Sequence, residues 1–367
     1  MKIGIATLSH VNDNYGGTLQ AFALQSALEK LGHEPFLLNT SIPPRPALQL
    51  NKLIEHPIRQ VSKIRRYGRF VPFWRRYWRL DPLGHRSEAR FLQDPPPCEA
   101  CVCGSDQIWA RLMSDNASTR RFASLDFGPA SLLRIAYAPS FGSDAVPDEA
   151  LKRFLPSMRA LDALSVREES GIGILAKAGL KAQWVVDPTL LHEEAFWSSL
   201  ADESADAPRR NSVFLGTLRW KTALNPKDVL RRLCGKRGWT YETPCSESPL
   251  SHLGHNVSLS PLDWLRHIRE SAFVVTNSFH CTVFSVIFRR PFVVLPLAGR
   301  HGKGNDRMRS FARRLGLEDR LLGGMDDLDR LAARPIDWAR VHEQLAAWRA
   351  ESWSYLENAL AIKKGLR

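Results

Sequence analysis

No apolar run in this sequence approaches the roughly 18 residues that a membrane-spanning helix requires. The longest, at 283–288 and 292–298, are the size of core segments, so any membrane contact is expected to be peripheral. The opening MKIGIATLSH has neither an apolar stretch of signal-peptide length nor a cleavage site; no secretory signal is expected there, and a cytoplasmic location is. Cysteine is scarce, with six among 367 residues, and these read as thiols rather than as a disulfide framework. Cys98 and Cys101 have the CxxC spacing of a zinc-ligand pair. No second CxxC and no paired histidines accompany them, and Cys101 and Cys103 flank Val102 in a strand-like ACVCG, so small apolar core residues are the favoured reading and no metal is expected. The dinucleotide spacing GxGxxG is missing after the first strand, which disfavours a nicotinamide enzyme. No recognised nucleic-acid motif is present, so no nucleic-acid partner is expected.

What is present is an ordinary globular composition, 44% hydrophobic and 24% charged, in a length that suggests two domains and a remainder. The dominant pattern is strand then helix, repeated. Residues 2–8 read as a strand, 18–31 as a helix closed by Gly32, and 34–39 as the next strand, the opening of a parallel, helix-covered sheet. Further strands are predicted at 100–103, 133–137, 163–166 and 183–186. The polar stretch 203–210, ESADAPRR, reads as a linker. The alternation restarts at Ser212, with strands near 240, 273 and 292. Domains are therefore expected at 1–200 and 211–335, with a last amphipathic helix over 336–367 packing back across the first.

The formal net charge is +13, which favours an anionic partner. Residues 45–90 hold twelve Lys or Arg against three acidic residues, so a net of nine charges sits in one insertion of the first domain. Tyr67, Phe70, Phe73, Trp74, Tyr77 and Trp78 recur among the arginines at three- to four-residue spacings. That is the pattern of an amphipathic helix with aromatics on one face and cations on the other. Two readings stand: a solvated helix packing its aromatics onto the domain, or a surface that docks on anionic lipid.

Polar loops follow the predicted strands where open α/β sheets bind ligands. The first, HVNDNYGGTLQ, reaches Asn14, Tyr15, Gly16 and Gly17 before its helix; the second is Gly104-Ser105-Asp106-Gln107-Ile108-Trp109. The third is Thr276-Asn277-Ser278-Phe279-His280-Cys281-Thr282. Ser278 is a natural N-cap, and the N–H groups of the helix behind it make an anion site beside His280. Arg167, after the strand ALSV, and Arg307, within a basic segment that also holds Arg300, His301, Lys303, Asn305 and Arg309, supply guanidinium forks suited to carboxylate or phosphate.

In this order, NYGGTLQAFALQ, GSDQIW, SVREESG with VDPTLLH, TNSFHCTVFSVIF and NDRMRSFARRLGLEDR resemble the polysaccharide pyruvyl transferase family over residues 2–322. The sequence departs from the family pattern at Asn277, where Asp is more usual, and at Cys281, where Gly is; the basic aromatic insertion is not shared. The resemblance implies two Rossmann-like domains similar to the B-type glycosyltransferase fold, with the active site in the interdomain cleft. It also implies transfer of pyruvate from phosphoenolpyruvate to sugar hydroxyls, giving a ketal, with no cofactor and no metal. On that reading His280 is the general acid and Asp106 a base or sugar-hydroxyl acceptor. Ser278, Asn277, Thr282, Arg167 and Arg307 bind the donor, while Asn14, Tyr15, Gly16 and Gln107 order an acceptor that is lipid-linked in many polysaccharide pathways. The competing expectations are a nucleotide-sugar glycosyltransferase of the same architecture and a non-catalytic protein that binds anions or a lipid surface.

Overall fold

In the computed structural model the strand–helix alternation becomes two parallel sheets. The structure describes residues 1–8, 14–38, 57–84, 86–217, 222–244 and 256–362, without the side chains of 57–63, 256, 300, 301 and 303. Residues 10–13 of the first loop, 45–56 of the insertion, and the side chains of Arg300, His301 and Lys303 thus lie outside the described residues.

The first sheet comprises Lys2–Ala6 (β1), Glu34–Leu37 (β2), Ala100–Cys103 (β3), Leu133–Ala136 (β4), Ala163–Val166 (β5) and Gln183–Trp184 (β6). Their order is β2-β1-β3-β4-β5-β6 and every neighbouring pair is parallel. The helices between them are Tyr15–Lys30 (α1), Pro57–Tyr77 (α2), Glu88–Gln93 (α3), Ala117–Ala123 (α4), Asp148–Arg159 (α5) and Glu169–Lys177 (α6). Strands β3 and β4 are buried at every position, as expected of parallel strands covered on both faces. The sheet reverses direction of growth between β1 and β3, where ligand crevices form at the carboxyl ends of the strands.

The second sheet comprises Ser212–Gly216 (β7), Thr240–Pro244 (β8), Asn256–Val257 (β9), Phe273–Thr276 (β10) and Phe292–Val294 (β11), in the order β11-β10-β7-β8-β9 and again parallel. Its reversal lies between β7 and β10. The associated helices are Glu194–Asp202 (α7), Pro226–Arg237 (α8), Pro261–Glu270 (α9), Phe279–Ile287 (α10), Asp306–Leu315 (α11), Met325–Ala333 (α12) and Trp338–Leu360 (α13). Local sequence explains their starts. Asn225 and Ser260 cap α8 and α9 ahead of a proline at the first helical position, and Ser260 with Asp263 completes a capping box.

Two compact units result: Met1–Pro44 with Tyr77–His192 and Gln344–Arg367, and Arg45–Arg76 with Glu193–Glu343. The division differs from the sequence expectation in two places. The segment of the insertion up to Arg76 groups with the second unit instead of the first, and Arg76 pairs there with Glu203 at 2.6 Å. Helix α7, most of which the expected boundary at residue 200 would leave in the first domain, also belongs to the second. Trp197 meets Phe284 edge-on with ring centroids 4.8 Å apart, and Arg269 donates to the Ser198 carbonyl at 3.0 Å and to Asp202 at 2.7 Å. Within the first unit, the end of α13 is tied to β4, β6 and the chain beyond it. Tyr355 donates to the Ala136 carbonyl at 2.9 Å, Trp348 to that of Trp184 at 3.2 Å and Trp353 to that of Leu191 at 3.1 Å.

His192 closes the first unit's main segment, its Nε2 donating to the Ala23 carbonyl on α1 at 2.8 Å. Burial drives its pKa down to about 4, against about 6.5 in an unfolded chain. Between those values the unfolded chain binds the extra proton, so this contribution is complete above pH 6.5 and is lost as pH falls towards 4. Urea denaturation of the wild type should lose about 3 kcal/mol more over that window than His192→Gln does; parallel pH profiles would refute the assignment.

Candidate active site

At the reversal of the second sheet, β10 ends in Thr276 and the chain turns through Asn277 and Ser278 into α10. The Thr276 hydroxyl donates to the Gly216 carbonyl at the end of β7 and accepts from the Ser278 amide at 2.9 Å. The two neighbouring strand ends are thereby locked together. Ser278 caps α10 by accepting from the Cys281 amide at 3.4 Å. All nine residues of α10 are buried, so its N-terminal dipole acts in a poorly screened environment. His280 lies in its first turn, edge-on to Phe279 with centroids 5.4 Å apart. Phe279 in turn packs on Phe311 of α11 at 5.7 Å. Arg307, half-buried in the first turn of α11, precedes Phe311 by four residues and so shares its helix face. Asn305 fixes the chain ahead of it, accepting from the Leu297 amide at 2.9 Å and donating to the Leu297 carbonyl at 3.0 Å.

Three further features of this corner bear on the chemistry. Thr282 is buried, and its hydroxyl donates to the Ser278 carbonyl one turn back at 3.1 Å, so it braces the first turn of α10. Cys281 fills space over Gly216, where a Cβ would come within 2.5 Å of its sulfur; burial pushes its thiol pKa up to about 12, which makes it a packing residue rather than a nucleophile. The third feature, missed in the sequence, is Thr217. Its hydroxyl is buried directly after β7 with no hydrogen-bond partner among the described residues.

The reversal of the first sheet brings together the loops after β1 and β3. Asn14 caps α1, accepting from the Gly17 amide at 3.3 Å; Tyr15 and Gly16 form the first turn behind it. A Cβ on Gly17 would fall 2.8 Å from the Leu8 carbonyl oxygen and 3.6 Å from Asp106 Oδ2. Only glycine allows that approach. Asp106 is the most strained residue here, with φ 63° and ψ −170°, a backbone region that L-residues almost never adopt. Its carbonyl accepts from the Ser140 amide at 2.9 Å. Gln107 opens the following 3₁₀ turn, its amide against Gly142, where a Cβ would fall 3.0 Å from Gln107 Oε1. Gln20, also missed in the sequence, is buried and donates to Thr7 Oγ1 at 2.8 Å and to the Gly17 carbonyl at 3.0 Å.

Arg167, assigned to the donor in the sequence, lies beneath Asp106 in the first unit, its side chain 1% exposed. The guanidinium meets Asp187 at 3.0 Å, Glu168 at 3.1 Å and Asp106 at 3.8 Å. Burial alone would lower its pKa, but those three carboxylates hold it above the ordinary arginine value. Asp187 also accepts from Ser105 Oγ at 2.8 Å and from the Thr189 hydroxyl at 2.8 Å. Asp187 is the residue the motif VDPTLLH marks, as the cap of a 3₁₀ turn with proline at its first position. Arg167 thus ties the loops after β3 and β5 together. Among the described residues no group of three or more His, Cys, Asp or Glu is placed to hold a metal ion.

Two parallel α/β units, each with polar loops at its sheet reversal, make a fold shared with solved UDP-GlcNAc 2-epimerases. The structure is similar to S. aureus MnaA in its UDP co-structure, with a TM-score of 0.51, 12% identity, and 99% of this chain and 98% of that one covered. It is similar to the Neisseria meningitidis UDP-GlcNAc 2-epimerase bound to UDP-GlcNAc, with a TM-score of 0.51, 10% identity, and coverage of 98% and 99%. At such identities the likeness establishes the fold. No curated protein matches the chain. Residues 14–298 match the polysaccharide pyruvyl transferase family, and the chain belongs to that family.

If Arg167 holds the first unit together, Arg167→Met leaves three buried carboxylates without their cation and should lower stability by about 3–5 kcal/mol in urea denaturation, with Arg167→Lys intermediate. Unchanged stability would return Arg167 to a ligand-binding role.

Proposed function

We propose that this transferase moves pyruvate from phosphoenolpyruvate to two hydroxyls of a sugar, forming a ketal and inorganic phosphate for a cell-surface polysaccharide. The observation that carries the proposal is the capped, fully buried α10 with His280 in its first turn, in a chain that belongs to the pyruvyl transferase family. A buried helix N-terminus favours an anion, and phosphoenolpyruvate carries a phosphate and a carboxylate. The Ser278 turn, Asn277 and Arg307 bind it, with Thr217 added to that set, and Thr282 braces the turn.

The chemistry needs a proton on the methylene carbon of the donor, and His280 as imidazolium supplies it. The resulting oxocarbenium-like carbon takes the oxygen of a first sugar hydroxyl, whose proton passes to Asp106. The oxygen of a second hydroxyl then bonds to the same carbon as the bond from that carbon to the phosphate oxygen breaks, and its proton leaves on the departing phosphate, which completes the ketal. Asn14, Tyr15, Gly16 and Gln107 order the acceptor around Asp106, whose strained backbone fixes its carboxylate near Gly17. The location we propose is cytoplasmic.

Phosphoenolpyruvate at a hundredfold excess over its dissociation constant should stabilise the chain by about 2.7 kcal/mol, read as a thermal shift. His280→Ala should retain a folded melt and lose about 10²- to 10⁴-fold in turnover. A shift with UDP- or GDP-sugars and none with phosphoenolpyruvate would support a glycosyltransferase instead, and donor binding without turnover on any acceptor would support a binding protein.

The same reading includes peripheral docking on an anionic lipid surface, which would bring a lipid-linked acceptor within reach. Among the described residues no helix is long and apolar enough to cross a membrane. On α2, Phe70, Phe73 and Trp74 are buried, while Arg65, Arg69, Arg75 and Arg76 are exposed. The aromatics are thus committed to packing, and docking rests on charge, at about 1 kcal/mol per cation near the surface. Co-sedimentation with phosphatidylserine vesicles should fall with salt and with Arg65, Arg69 and Arg75 changed to Gln. Equal recovery with neutral vesicles would overturn it.

A further inference from the structure

The proposed reaction uses no thiol, yet one pair of cysteines is arranged for thiol chemistry. The Sγ atoms of Cys98 and Cys101 are 3.5 Å apart. In an extended strand residues i and i+3 point to opposite faces. The chain therefore turns between Cys98 and the start of β3 at Ala100 to bring the sulfurs together. Cys101 is fully buried in β3, opposite Gly4 of β1, and a Cβ on Gly4 would lie 3.2 Å from its sulfur. Cys98 is half-buried and follows three consecutive prolines, outside the strand. One sulfur is held by the sheet and the other is accessible beside it.

We propose that Cys98 and Cys101 form a reversible dithiol–disulfide site that reacts with small-molecule disulfides. The Cys98 thiolate attacks one sulfur of the incoming disulfide, forming a mixed disulfide and releasing one thiol. Cys101 then loses its proton and attacks Cys98 Sγ, forming the Cys98–Cys101 bond and expelling the second thiol. The two protein thiols are oxidised by two electrons and the small disulfide is reduced to two thiols. Polarity within the pair fits this order. The hydrogen bond with Cys101 lowers the Cys98 pKa against the opposing effect of burial, and the bond with Cys98 together with burial raises that of Cys101. Deprotonation is thus easier at the accessible sulfur than at the buried one. Closure needs the sulfurs to approach from 3.5 Å to about 2.05 Å, with Cys98, outside the strand, as the sulfur that moves.

The other described cysteines serve as internal references. Cys103 and Cys281 are fully buried, and Cys234 is buried against the Thr240 carbonyl. Cys245 lies outside the described residues, so the test uses the full chain carrying Cys245→Ser. That protein is equilibrated in glutathione buffers of rising disulfide content, quenched with an alkylating agent and mapped by mass spectrometry. The expected result is joint loss of the Cys98 and Cys101 thiols in one linked peptide, restored by dithiothreitol, with Cys103 and Cys281 still alkylated only after unfolding. Cys101→Ser should instead stop at a glutathione adduct on Cys98, and Cys98→Ser should leave Cys101 reduced. A folded parent chain that accumulates only the Cys98–glutathione adduct, or that keeps both thiols in oxidised buffer, would overturn the proposal. The readout is independent of phosphoenolpyruvate or sugar turnover.

Discussion

A guanidinium taken out of water must be neutralised where it lies, and in the first unit that requirement falls on Arg167. Its carboxylate partners come from three places in the chain: Asp106 after β3, Glu168 after β5 and Asp187 beyond β6. Ser105 and Thr189 add hydrogen bonds to the Asp187 end. Removing the cation would set three carboxylates against one another in a poorly polarisable interior. The network therefore couples the loop conformations that follow these strands, including the strained backbone of Asp106. Strain of this kind persists only where surrounding contacts over-determine it.

The second unit uses a different device for the same purpose. No charge is buried at its sheet reversal among the described residues that form it; instead Thr276 joins β10 to β7 through one hydroxyl, and the Cys281 sulfur fills the space left by Gly216. The close packing against Gly216 accounts for the Cys281 thiol as a small apolar filler. His280 next to it is then held by the helix on one side and the Phe279–Phe311 contact on the other. A fixed imidazole beside a helix N-terminus is suited to meet an anionic donor without rearrangement.

Much of this was legible in the sequence because parallel sheets covered on both faces are written in short β-branched and apolar runs. ACVC, ALSV and FVVT are strands in the structure as read, and Ser278 is the cap its position before the FHCTVFSVI helix predicts. What sequence spacing does not carry is the partner of a polar side chain. Arg167 follows a strand end just as a ligand-binding arginine would; its pairing with the carboxylate of Asp187, twenty residues on, is written only in the structure. The same limit hid Thr217 and Gln20, single polar residues whose significance comes from burial. It also left the basic insertion open between packing and docking, until burial of Phe70, Phe73 and Trp74 committed its aromatic face.

On the proposed chemistry, the chain consumes phosphoenolpyruvate only in order to build a ketal on a sugar. Incubation with phosphoenolpyruvate and a panel of nucleotide-linked and lipid-linked sugars, followed by phosphate assay and product mass spectrometry, tests it most directly. The expected result is phosphate release that requires a sugar acceptor, with one pyruvyl group gained by the sugar for each phosphate released. Release of a nucleoside diphosphate from a sugar donor, with phosphoenolpyruvate untouched, would contradict it.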